Sequence, residues 1–500
     1  MYYLNTRCII LLDGLSHFFL FMSYTKIIAT IGPASESEEL IKELIEKGVN
    51  VFRFNLKHNE LTWHKDRIQR VKDVALKMGV AIGTLIDLQG PEIRFITPHG
   101  EEMLIGKGQE IVISKKTKEE DKYSLTDDIV LSYLKVGQKV VVDDGKFQFE
   151  VKTATKDRVV LVSSSNGVLK TRKTLSVPGV YFPLAALTDR DKEAIRSFAE
   201  SPVDFVALSF VRSAKDVFDL KDYMAKVGFK GRTISKIETV LAIDCLDEII
   251  DASEGIMVAR GDLGVEMPIE QVPHYQKIMI KKCLERGFPV ITATQMIQSM
   301  IEKPYPTRAE ISDIANAAYD MTDMVMLSEE SAAGQFPVEA VSYMKRTISY
   351  NEKFVTPNDT RAMFKFNVAD SEEMLCETAY DLYLQFKKKD YNFGGFVVFT
   401  ETGRTARKLS RYRAKAPIYV FAPTLKVRDS LTVNYAVQPF VQPTIFKKGV
   451  PIKAEDMENA MEFLKKNKAF DKSKYYILLY GDNWMVEGKV STIKILSPQK

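Results

Sequence analysis

Charged side chains follow short apolar runs of the sequence at positions where they could meet in one site. Lys236 and Glu238 stand two residues apart at the end of one such run, and Asp262 comes just after the next run. Two carboxylates, together with water and substrate oxygens, suit Mg²⁺ or Mn²⁺. A lysine beside them supplies the fixed positive charge that phosphoryl transfer or a developing enolate requires. Each carboxylate alone could equally be a helix cap or a surface group, but together they predict a divalent-metal site.

Two further features point to an anionic substrate. Arg53 is a second cation at the end of an apolar run, where it could face a phosphoryl group. In the run 260–264 (RGDLG), the glycines would leave backbone N–H groups open near a helix start, and such groups bind carboxylate or phosphate oxygens. Ordinary strand–helix turns also use glycine, so this run is weaker evidence than the pair of carboxylates.

Eight strand-like runs, separated by helical patterns, could position these groups. They are Lys26–Gly32, Val49–Leu56, Ala81–Leu88, Phe205–Val211, Arg232–Glu238, Gly255–Gly261, Pro289–Gln295 and Met324–Glu330. Alternating strands and helices indicate a parallel sheet, and eight such units indicate a (β/α)8 TIM barrel. The active groups of such barrels lie at the C-terminal ends of the strands, which is where most of these polar residues stand.

Two other regions depart from the barrel pattern. Residues 95–178 read as short strands with turns, including the hairpin sequence Asp143-Asp144-Gly145, and predict an inserted all-β lid domain. From residue 351 onward strands and helices alternate again, which predicts an open α/β domain. The expected division is an N-terminal extension at 1–22, barrel segments at 23–94 and 179–350, the lid domain at 95–178, and a C-terminal α/β regulatory domain at 351–500.

The composition excludes several classes of protein. Hydrophobic residues make up 45% and charged residues 27% of the 500 residues, which is ordinary for a folded enzyme. A net charge of +4 gives no signal for nucleic-acid binding. The four cysteines are far apart, which favours a reducing cytoplasm over disulfides. The apolar start is interrupted by Asp13-Gly14 and is too short to cross a membrane, so we expect residues 1–22 to be disordered or untranslated, with Met22 as the start.

Several runs of the sequence resemble the pyruvate kinase family. They occur in the family's order and are Thr30–Ser35 (TIGPAS), Gly90–Arg94 (GPEIR), Ser235–Glu238 (SKIE), Met257–Glu266 (MVARGDLGVE), Ala293–Met296 (ATQM) and Pro306–Glu310 (PTRAE). The resemblance covers about residues 25–350 and, more loosely, the rest. It implies transfer of the phosphoryl group of phosphoenolpyruvate to ADP, giving pyruvate and ATP in the last step of glycolysis, with Mg²⁺ (or Mn²⁺) as cofactor. It also implies a homotetramer.

The resemblance implies roles for individual residues. Lys236 would stabilise the enolate, Arg53 would contact the transferring phosphoryl group, and Glu238 would hold Mg²⁺ together with Asp262. The substrate carboxylate would bind the backbone amides of Gly261 and Asp262.

Further roles follow from the same resemblance. The Thr294 hydroxyl would also hold the substrate carboxylate, and Thr294 and Ser312 would relay a proton to the enolate carbon. His58, Arg94 and Lys173 match positions on the nucleotide side of the family's site, and Asp144 matches a lid position.

One departure from the family concerns a monovalent cation. Members that need K⁺ bind it at the positions of Asn55, residue 57, Asp87 and the backbone carbonyl of Leu88. Here residue 57 is lysine instead of serine, and an ammonium has donors but no acceptor oxygen. We therefore expect Lys57 to supply the positive charge itself, with Asn55, Asp87 or Glu92 as its partner, and K⁺ to be dispensable. The alternative is a solvent-facing Lys57 with K⁺ bound by one ligand fewer.

A second phosphate site is predicted in the C-terminal region. Hydroxyls, a glycine and a helix start suit phosphate binding, and the loop resembles the family's effector loop. An acidic residue, Glu401, lies within it and favours a monophosphorylated sugar or nucleotide over a bisphosphate. The alternative is an ordinary strand–helix turn. The candidate residues are Thr400, Thr402, Gly403, Arg404 and Thr405.

Two other functions stay open from the sequence. A different metal-dependent, enolate-handling TIM-barrel enzyme, of the aldolase or phosphoenolpyruvate mutase type, would use Glu238 and Asp262 but would need neither the lid domain nor the third domain. A catalytically weak, metabolite-binding paralogue would not need Lys236 or Thr294. We expect no nucleic-acid partner and no membrane in either case.

Overall fold

The computed structural model describes residues 23–115, 123–143, 145–355, 360–366, 368–442, 444–446, 453–467, 469–481 and 490–498. The predicted N-terminal extension at 1–22 and the lid residue Asp144 lie outside the described residues. No helix in the described part of the chain combines the length and the apolar character that crossing a membrane requires.

Eight parallel strands close into a barrel, as the alternation of strands and helices predicts. The first strand pairs with the second and the eighth, and the third pairs with the fourth across the insertion. The core of the barrel is formed by apolar side chains of the strands and the surrounding helices. In chain order the strands are Lys26–Thr30, Val51–Asn55, Gly83–Asp87, Phe205–Leu208, Arg232–Ile237, Ile256–Ala259, Val290–Ala293 and Met324–Leu327.

Helices surround the barrel because each carries one apolar face and most have local start and stop signals. Ser37 caps the first helix through its hydroxyl, and Gly48 ends it in the left-handed conformation that glycine adopts without strain. The α-helices are Glu38–Lys47, Leu61–Met78, Asp189–Ser197, Ala214–Val227, Val240–Asp244, Leu246–Ala252, Arg260–Glu266, Val272–Arg286, Arg308–Tyr319, Glu329–Ala332 and Pro337–Asn351, with 3₁₀ turns at Ile269–Gln271, Gln298–Ile301 and Glu352–Phe354.

All eight barrel strands end one to three residues earlier than the apolar runs predict, and a left-handed residue follows two of them. The fourth ends at Leu208 because Phe210 has φ 55°, and the seventh ends at Ala293 because Thr294 has φ 68°. A positive φ is uncommon for any residue other than glycine and is an outlier for a β-branched or bulky one. Such strained conformations cluster at functional sites. Both lie at the C-terminal edge of the barrel, where the polar side chains gather.

The insertion after the third strand is all-β, as predicted, and has its own apolar core around Phe95, Phe149 and Leu161. Its seven-stranded sheet has the spatial order Glu110–Ser114, Arg158–Ser163, Phe147–Ala154, Lys139–Val142, Lys173–Ser176, Arg94–Ile96 and Ser124–Leu125. A smaller sheet pairs Met103–Ile105 with Gly167–Leu169, and 3₁₀ turns occupy Pro98–Gly100 and Asp128–Ser132.

The C-terminal region is an open α/β domain with a five-stranded sheet, also as predicted. The strand order is Val437–Val441, Ile418–Ala422, Phe393–Phe399, Tyr475–Tyr480 and Thr492–Leu496, and only the last strand is antiparallel to its neighbour. Its α-helices are Ser371–Lys388, Arg404–Ser410, Leu425–Asp429 and Ala454–Lys466, with a 3₁₀ turn at Thr360–Ala362.

The C-terminal domain closes the lower, N-terminal end of the barrel. Val433 is buried in the same apolar cluster as the inward-facing barrel residues Ile28 and Leu85. Beside it, the guanidinium of Arg413 forms a buried ion pair with Asp323, at 2.6 Å from Nη2 to Oδ2. The interior of the barrel therefore includes a side chain from another domain.

Candidate active site

Lys236 lies at the centre of a buried polar cluster at the upper, C-terminal end of the barrel. Its Nζ is 2.7 Å from Oε1 of Glu238, 3.3 Å from Oδ1 of Asp87 and 2.8 Å from Oγ of Ser209. Burial alone would lower the pKa of Lys236, but the carboxylates of Asp87, Glu238 and Asp262 outweigh it and hold the pKa above its ordinary value. The ammonium is therefore charged at every physiological pH.

Arg53 is fixed beside this lysine by the third barrel strand. Its Nε and Nη2 atoms lie 2.8 and 2.7 Å from Oδ2 of Asp87, and Nη1 donates to the Thr30 hydroxyl at 3.0 Å. The pairing follows from the barrel, because neighbouring parallel strands bring their C-terminal ends together. Lys236 and Arg53 share one buried carboxylate, so this end of the site keeps positive charge available for an anionic ligand.

Glu238 and Asp262 are the predicted metal-binding pair, and their surroundings fit a divalent cation. Burial raises the pKa of Glu238, Asp262 raises it further, and Lys236 and Lys57 only partly offset this. Oε2 of Glu238 accepts the backbone N–H of Phe210 at 2.5 Å. The carboxylate of Asp262 makes no hydrogen bond or ion pair with any described residue. A cation between two carboxylates that repel each other would stabilise both in the ionised form.

The described chain supplies only part of a metal coordination shell here. It contains no group of three or more His, Cys, Asp or Glu side chains that could hold a metal ion. Mg²⁺ is commonly bound through one or two carboxylates, with water and substrate oxygens completing the shell. Glu238 and Asp262 therefore fit a metal that is bound together with its substrate.

Thr294 and Gly261 are brought together at the neighbouring strand ends. The backbone N–H of Gly261 donates to Oγ1 of Thr294 at 2.8 Å, and this hydroxyl donates to the Ala293 carbonyl at 2.7 Å. Nη2 of Arg260 donates to the Thr294 carbonyl at 2.6 Å and so supports its strained backbone. Ser312 is exposed on the helix Arg308–Tyr319, and no hydrogen bond joins it to Thr294 in the described chain.

Lys57 lies against Glu92 and Phe210. Its Nζ forms an ion pair with Oε1 of Glu92, whose side chain is 1% exposed, and lies 5.8 Å from the centre of the Phe210 ring. Its backbone N–H donates to Oδ1 of Asn55 at 3.2 Å. The positive charge of Lys57 lowers the pKa of Asp87, after the larger effects of Lys236 and Arg53. Leu88 directly follows Asp87 at the end of the third barrel strand and is buried. Its carbonyl accepts a hydrogen bond from the Ser209 hydroxyl at 2.8 Å.

The three residues predicted for the nucleotide side lie on two strands of the lid domain and on the loop after the second barrel strand. Arg94 forms an ion pair with Glu92, which it shares with Lys57. Lys173 lies 2.9 Å from Asp143 within the lid domain, and His58 is exposed after the second strand. No contact joins the three side chains within the described part of the chain.

The cleft itself lies between the lid domain and the barrel. Val141, Thr174 and Ser176 line it from the lid, and Glu238, Asp262 and Glu266 line it from the barrel. A second, more apolar part of the cleft continues past Phe210 and Leu241. The carboxylate pair thus faces a space that the lid domain covers.

Three residues that the sequence analysis passed over contribute to the site. Ser209 joins Lys236 to the Leu88 carbonyl, and it stands just after the fourth barrel strand. Glu266 lines the cleft, and burial raises its pKa to about 7, while the backbone N–H of Gly179 opposes that rise. His64 donates from Nε2 to the His58 carbonyl at 2.7 Å and so fixes the loop after the second strand.

The predicted effector loop is engaged in contacts within the protein. The backbone N–H of Gly403, at φ 81°, donates to the Thr400 hydroxyl at 3.0 Å, and the Thr405 hydroxyl donates to Glu372 at 2.6 Å. Arg404 pairs with Asp370 and Glu372. Thr402 is exposed, and its carbonyl accepts from two arginines.

Comparisons with known proteins agree with this architecture. The family model described as pyruvate kinase, barrel domain, matches residues 22–341, and the one described as pyruvate kinase, alpha/beta domain, matches residues 387–496. A protein named pyruvate kinase from Staphylococcus epidermidis is 39% identical over 425 residues, which are 84% of this chain and 72% of that protein. One of the same name from Bacillus licheniformis is 39% identical over 426 residues, covering 83% and 71%. With both domains matched, the chain belongs to the pyruvate kinase family.

Proposed function

We propose that this chain transfers the phosphoryl group of phosphoenolpyruvate to ADP, giving pyruvate and ATP as the last step of glycolysis. The observation that carries the proposal is the buried ammonium of Lys236, held between Asp87 and Glu238 at the covered end of the barrel. A fixed cation in a water-poor cleft is what stabilises charge that develops during phosphoryl transfer. Family membership supports the same reaction.

Glu238 and Asp262 are the residues that would hold Mg²⁺ or Mn²⁺ as cofactor. When bound, the metal would neutralise and orient the oxygens of the substrate and the phosphoryl group. The raised pKa of Glu238 and the carboxylate of Asp262, which pairs with no described residue, support this assignment.

The remaining site residues act on the substrate itself. Lys236 would stabilise the enolate oxygen, and Arg53 would hold the transferring phosphoryl group. The backbone amides of Gly261 and Asp262 and the Thr294 hydroxyl would bind the substrate carboxylate. Exchange of the hydrogen bond between Gly261 and Thr294 for bonds to the carboxylate would keep every donor satisfied.

Proton delivery and nucleotide binding involve residues nearer the surface. Thr294 and Ser312 would pass a proton to the enolate carbon, with water bridging between the half-buried hydroxyl and the exposed one. His58, Arg94 and Lys173 would contact the nucleotide phosphates. The positions of Arg94 and Lys173 at the edge of the lid domain support a role in closing the cleft over ADP.

Activity without K⁺ would follow from the position of Lys57. An ammonium paired with the buried carboxylate of Glu92 would take the place of the monovalent cation that relatives bind near Asn55, Asp87 and the Leu88 carbonyl. The carboxylate of Glu92 also forms an ion pair with Arg94. An added K⁺ would therefore lie beside two cations that share one carboxylate.

Regulation by a monophosphorylated sugar or nucleotide is proposed on the resemblance of the loop at 400–405 to the family's effector loop. The engaged side chains of Thr400, Arg404 and Thr405 require that a ligand displace internal contacts. A homotetramer is proposed on the resemblance of the whole chain to the pyruvate kinase family, and a cytoplasmic location on the widely spaced cysteines. The comparisons do not favour an aldolase or a phosphoenolpyruvate mutase, because both matched models are those of pyruvate kinase.

A coupled assay tests the proposed function directly. Pyruvate formed from phosphoenolpyruvate is measured with ADP and Mg²⁺, with ADP omitted, and with Mg²⁺ removed by a chelator. We expect pyruvate only when all three are present. Pyruvate formation without ADP, or none under any condition, would contradict the proposal.

A further inference from the structure

Arg212 joins the barrel to the part of the chain that returns from the lid domain. It lies in loop 209–212, which follows the fourth barrel strand, and its Nε and Nη2 atoms donate to the two carboxylate oxygens of Asp216 at 3.0 and 2.9 Å. Its Nη1 donates to the backbone carbonyls of Phe182 and Leu184 at 3.3 and 2.8 Å. Each nitrogen of the guanidinium is therefore engaged, and one of them holds a distant segment of backbone.

The segment that Arg212 holds is the return connection, residues 177–188, which leads from the last lid strand to the next barrel helix. It contains no helix or strand, and its own backbone bonds are short-range, such as that from the N–H of Leu184 to the carbonyl of Phe182 at 2.8 Å. The ring of Tyr181 lies under the guanidinium, with 5.2 Å between its centre and Cζ. Because regular secondary structure does not fix this connection, side-chain donors decide where it lies.

The return connection borders open space on one side. The more apolar part of the cleft, about 110 Å³ in volume, is lined by Val180 and Phe182 from the connection and by Phe210 and Leu241 from the barrel. Atoms that face such a space make no packing contacts there. Packing alone therefore does not prevent the connection from pivoting toward the barrel.

Loop 209–212 also contacts the outgoing connection, which leads from the third barrel strand into the lid domain and includes Gly90. A Cβ atom at Gly90 would lie 2.9 Å from the ring of Phe210 and 2.9 Å from Cβ of Ser209. The backbone of Gly90 therefore passes directly against the loop. One loop touches both connections between the barrel and the lid domain.

The same loop makes two contacts with the catalytic cluster. The backbone N–H of Phe210 donates to Oε2 of Glu238 at 2.5 Å, and the hydroxyl of Ser209 accepts a hydrogen bond from Nζ of Lys236 at 2.8 Å. Arg212 stands two residues after Phe210 in this loop. A displacement of the return connection would thus be carried over a few covalent bonds to a candidate metal ligand.

We propose that Arg212 is a positioning residue that holds the lid domain in place over the nucleotide and couples its movement to loop 209–212. The inference rests on the proposed function, in which Arg94 and Lys173, both on lid strands, contact the nucleotide phosphates. The rigid guanidinium fork can donate to a carboxylate and to two carbonyls at once. A lysine ammonium, which is a point charge on a flexible stem, would keep the pairing with Asp216 but lose this geometry.

Hydrogen–deuterium exchange of the ligand-free protein tests the anchor directly. The backbone amides of residues 180–184 are followed by mass spectrometry in the wild type, Arg212→Gln and Arg212→Lys. We expect exchange about tenfold faster in both variants, because charge-assisted hydrogen bonds to the connection are lost. The matched control is Arg196→Gln, whose guanidinium joins two barrel helices through the Tyr223 hydroxyl at 3.0 Å, and it should exchange as the wild type does.

Steady-state kinetics separate positioning from a loss of folded protein. In Arg212→Lys we expect the KM for ADP to rise about fivefold or more and the KM for phosphoenolpyruvate to stay within about twofold, since ADP would contact the lid and phosphoenolpyruvate the barrel. A smaller folded fraction alone would lower the apparent kcat and leave both KM values unchanged. Urea unfolding of the same samples reports the folded fraction.

Two outcomes would overturn the proposal. They are wild-type exchange of residues 180–184 in either variant of Arg212, and a KM for ADP that stays constant or moves equally with that for phosphoenolpyruvate. Arg212→Lys keeps a cation beside Asp216, so it decides the matter if Arg212→Gln fails to fold. The exchange measurement needs no turnover, so the anchor can be refuted while the coupled assay shows kinase activity, and confirmed where that assay shows none.

Discussion

The Nζ atom of Lys236 lies 2.7 Å from Oε1 of Glu238, and both side chains are almost entirely buried. The residues stand two apart in one extended segment, so their side chains project to the same side of the sheet. The lysine is therefore held in place by a carboxylate that is itself a candidate metal ligand. A bound metal would compete for that carboxylate and leave the ammonium free to face the substrate.

Replacing Lys236 by Met keeps most of the side-chain volume and removes the charge. We expect turnover to fall by ~10²–10⁴-fold, the range for loss of a preorganised charge-stabilising group. Binding of Mn²⁺, followed by electron paramagnetic resonance, should survive. Lys77→Met, at an exposed helical position, is the control. Wild-type turnover in Lys236→Met would show that the phosphoryl group binds elsewhere.

Replacing Asp262 by Asn removes one of the two charges available to the metal. We expect the dissociation constant for Mn²⁺ to rise by at least about tenfold, because affinity for such ions depends on the number of charged ligands. Direct binding, by calorimetry or resonance, reports this independently of turnover. Asp251→Asn on the surface is the matched control. An unchanged affinity in Asp262→Asn would remove this residue from the metal site.

Substituting Lys57 tests whether its ammonium stands in for K⁺. We expect the wild-type enzyme to work in K⁺-free buffer balanced with tetramethylammonium at a rate within a few-fold of that with K⁺. Lys57→Ser should become dependent on K⁺, because Glu92 and Asp87 would lose a neighbouring positive charge. Lys47→Ser, on an exposed helix, should behave as wild type. Near-zero wild-type activity without K⁺ would refute this role of Lys57.

Lys26 predicts a pH dependence of stability. It is buried where the barrel meets the C-terminal domain, and its Nζ donates to the Val437 carbonyl at 2.8 Å. Burial, with a smaller effect of Lys345, lowers its pKa to about 7 in the folded protein, whereas an unfolded lysine titrates near 10.4. Between these values the unfolded chain binds more protons than the folded one, so the free energy of unfolding rises with pH.

The measurement is urea unfolding of wild type and Lys26→Met at pH 7, 8 and 9. The difference between the two free energies of unfolding should move in favour of the wild type by up to about 1.4 kcal/mol per pH unit. Lys42→Met, an exposed position, should give a constant difference from wild type. A constant difference for Lys26→Met as well would mean that Lys26 stays charged in the folded state.

The barrel and much of its site could be predicted because they depend on periodic patterns. Polar residues after apolar runs placed Lys236, Glu238 and Arg53 at one edge, and the fold does bring them together. The same rule applied to the fourth strand would have found Ser209. The pattern hides this serine because Phe210 and Val211 extend the apolar run, so that Ser209 resembles the interior of a strand.

Contacts between loops could not be predicted in the same way. Lys57 and Glu92 lie in segments whose paths are set by turns and not by periodicity, so the sequence offered three partners for the lysine and could not choose among them. The left-handed backbone conformations of Phe210 and Thr294 could not be predicted either, because both residue types favour extended backbone. Arg232 and Arg407 are 175 positions apart, and only the docking of two domains reveals that they share an acceptor.

Val433 has a consequence for how this architecture can be inherited and engineered. The barrel is not an exchangeable module, because Val433 of the C-terminal domain completes its interior. Its Asp323 also depends on Arg413 of that domain. Chimaeras of two homologues joined near residue 351 would combine the barrel interior of one parent with the C-terminal domain of the other. They would lose stability unless the residues at positions 433 and 413 suited that barrel. Exchange of the lid domain leaves the barrel interior intact, because the described lid core, which includes Ile93 beside the junction, shares no side chain with the barrel-interior cluster. Recombination should therefore have shuffled lids more freely than C-terminal domains.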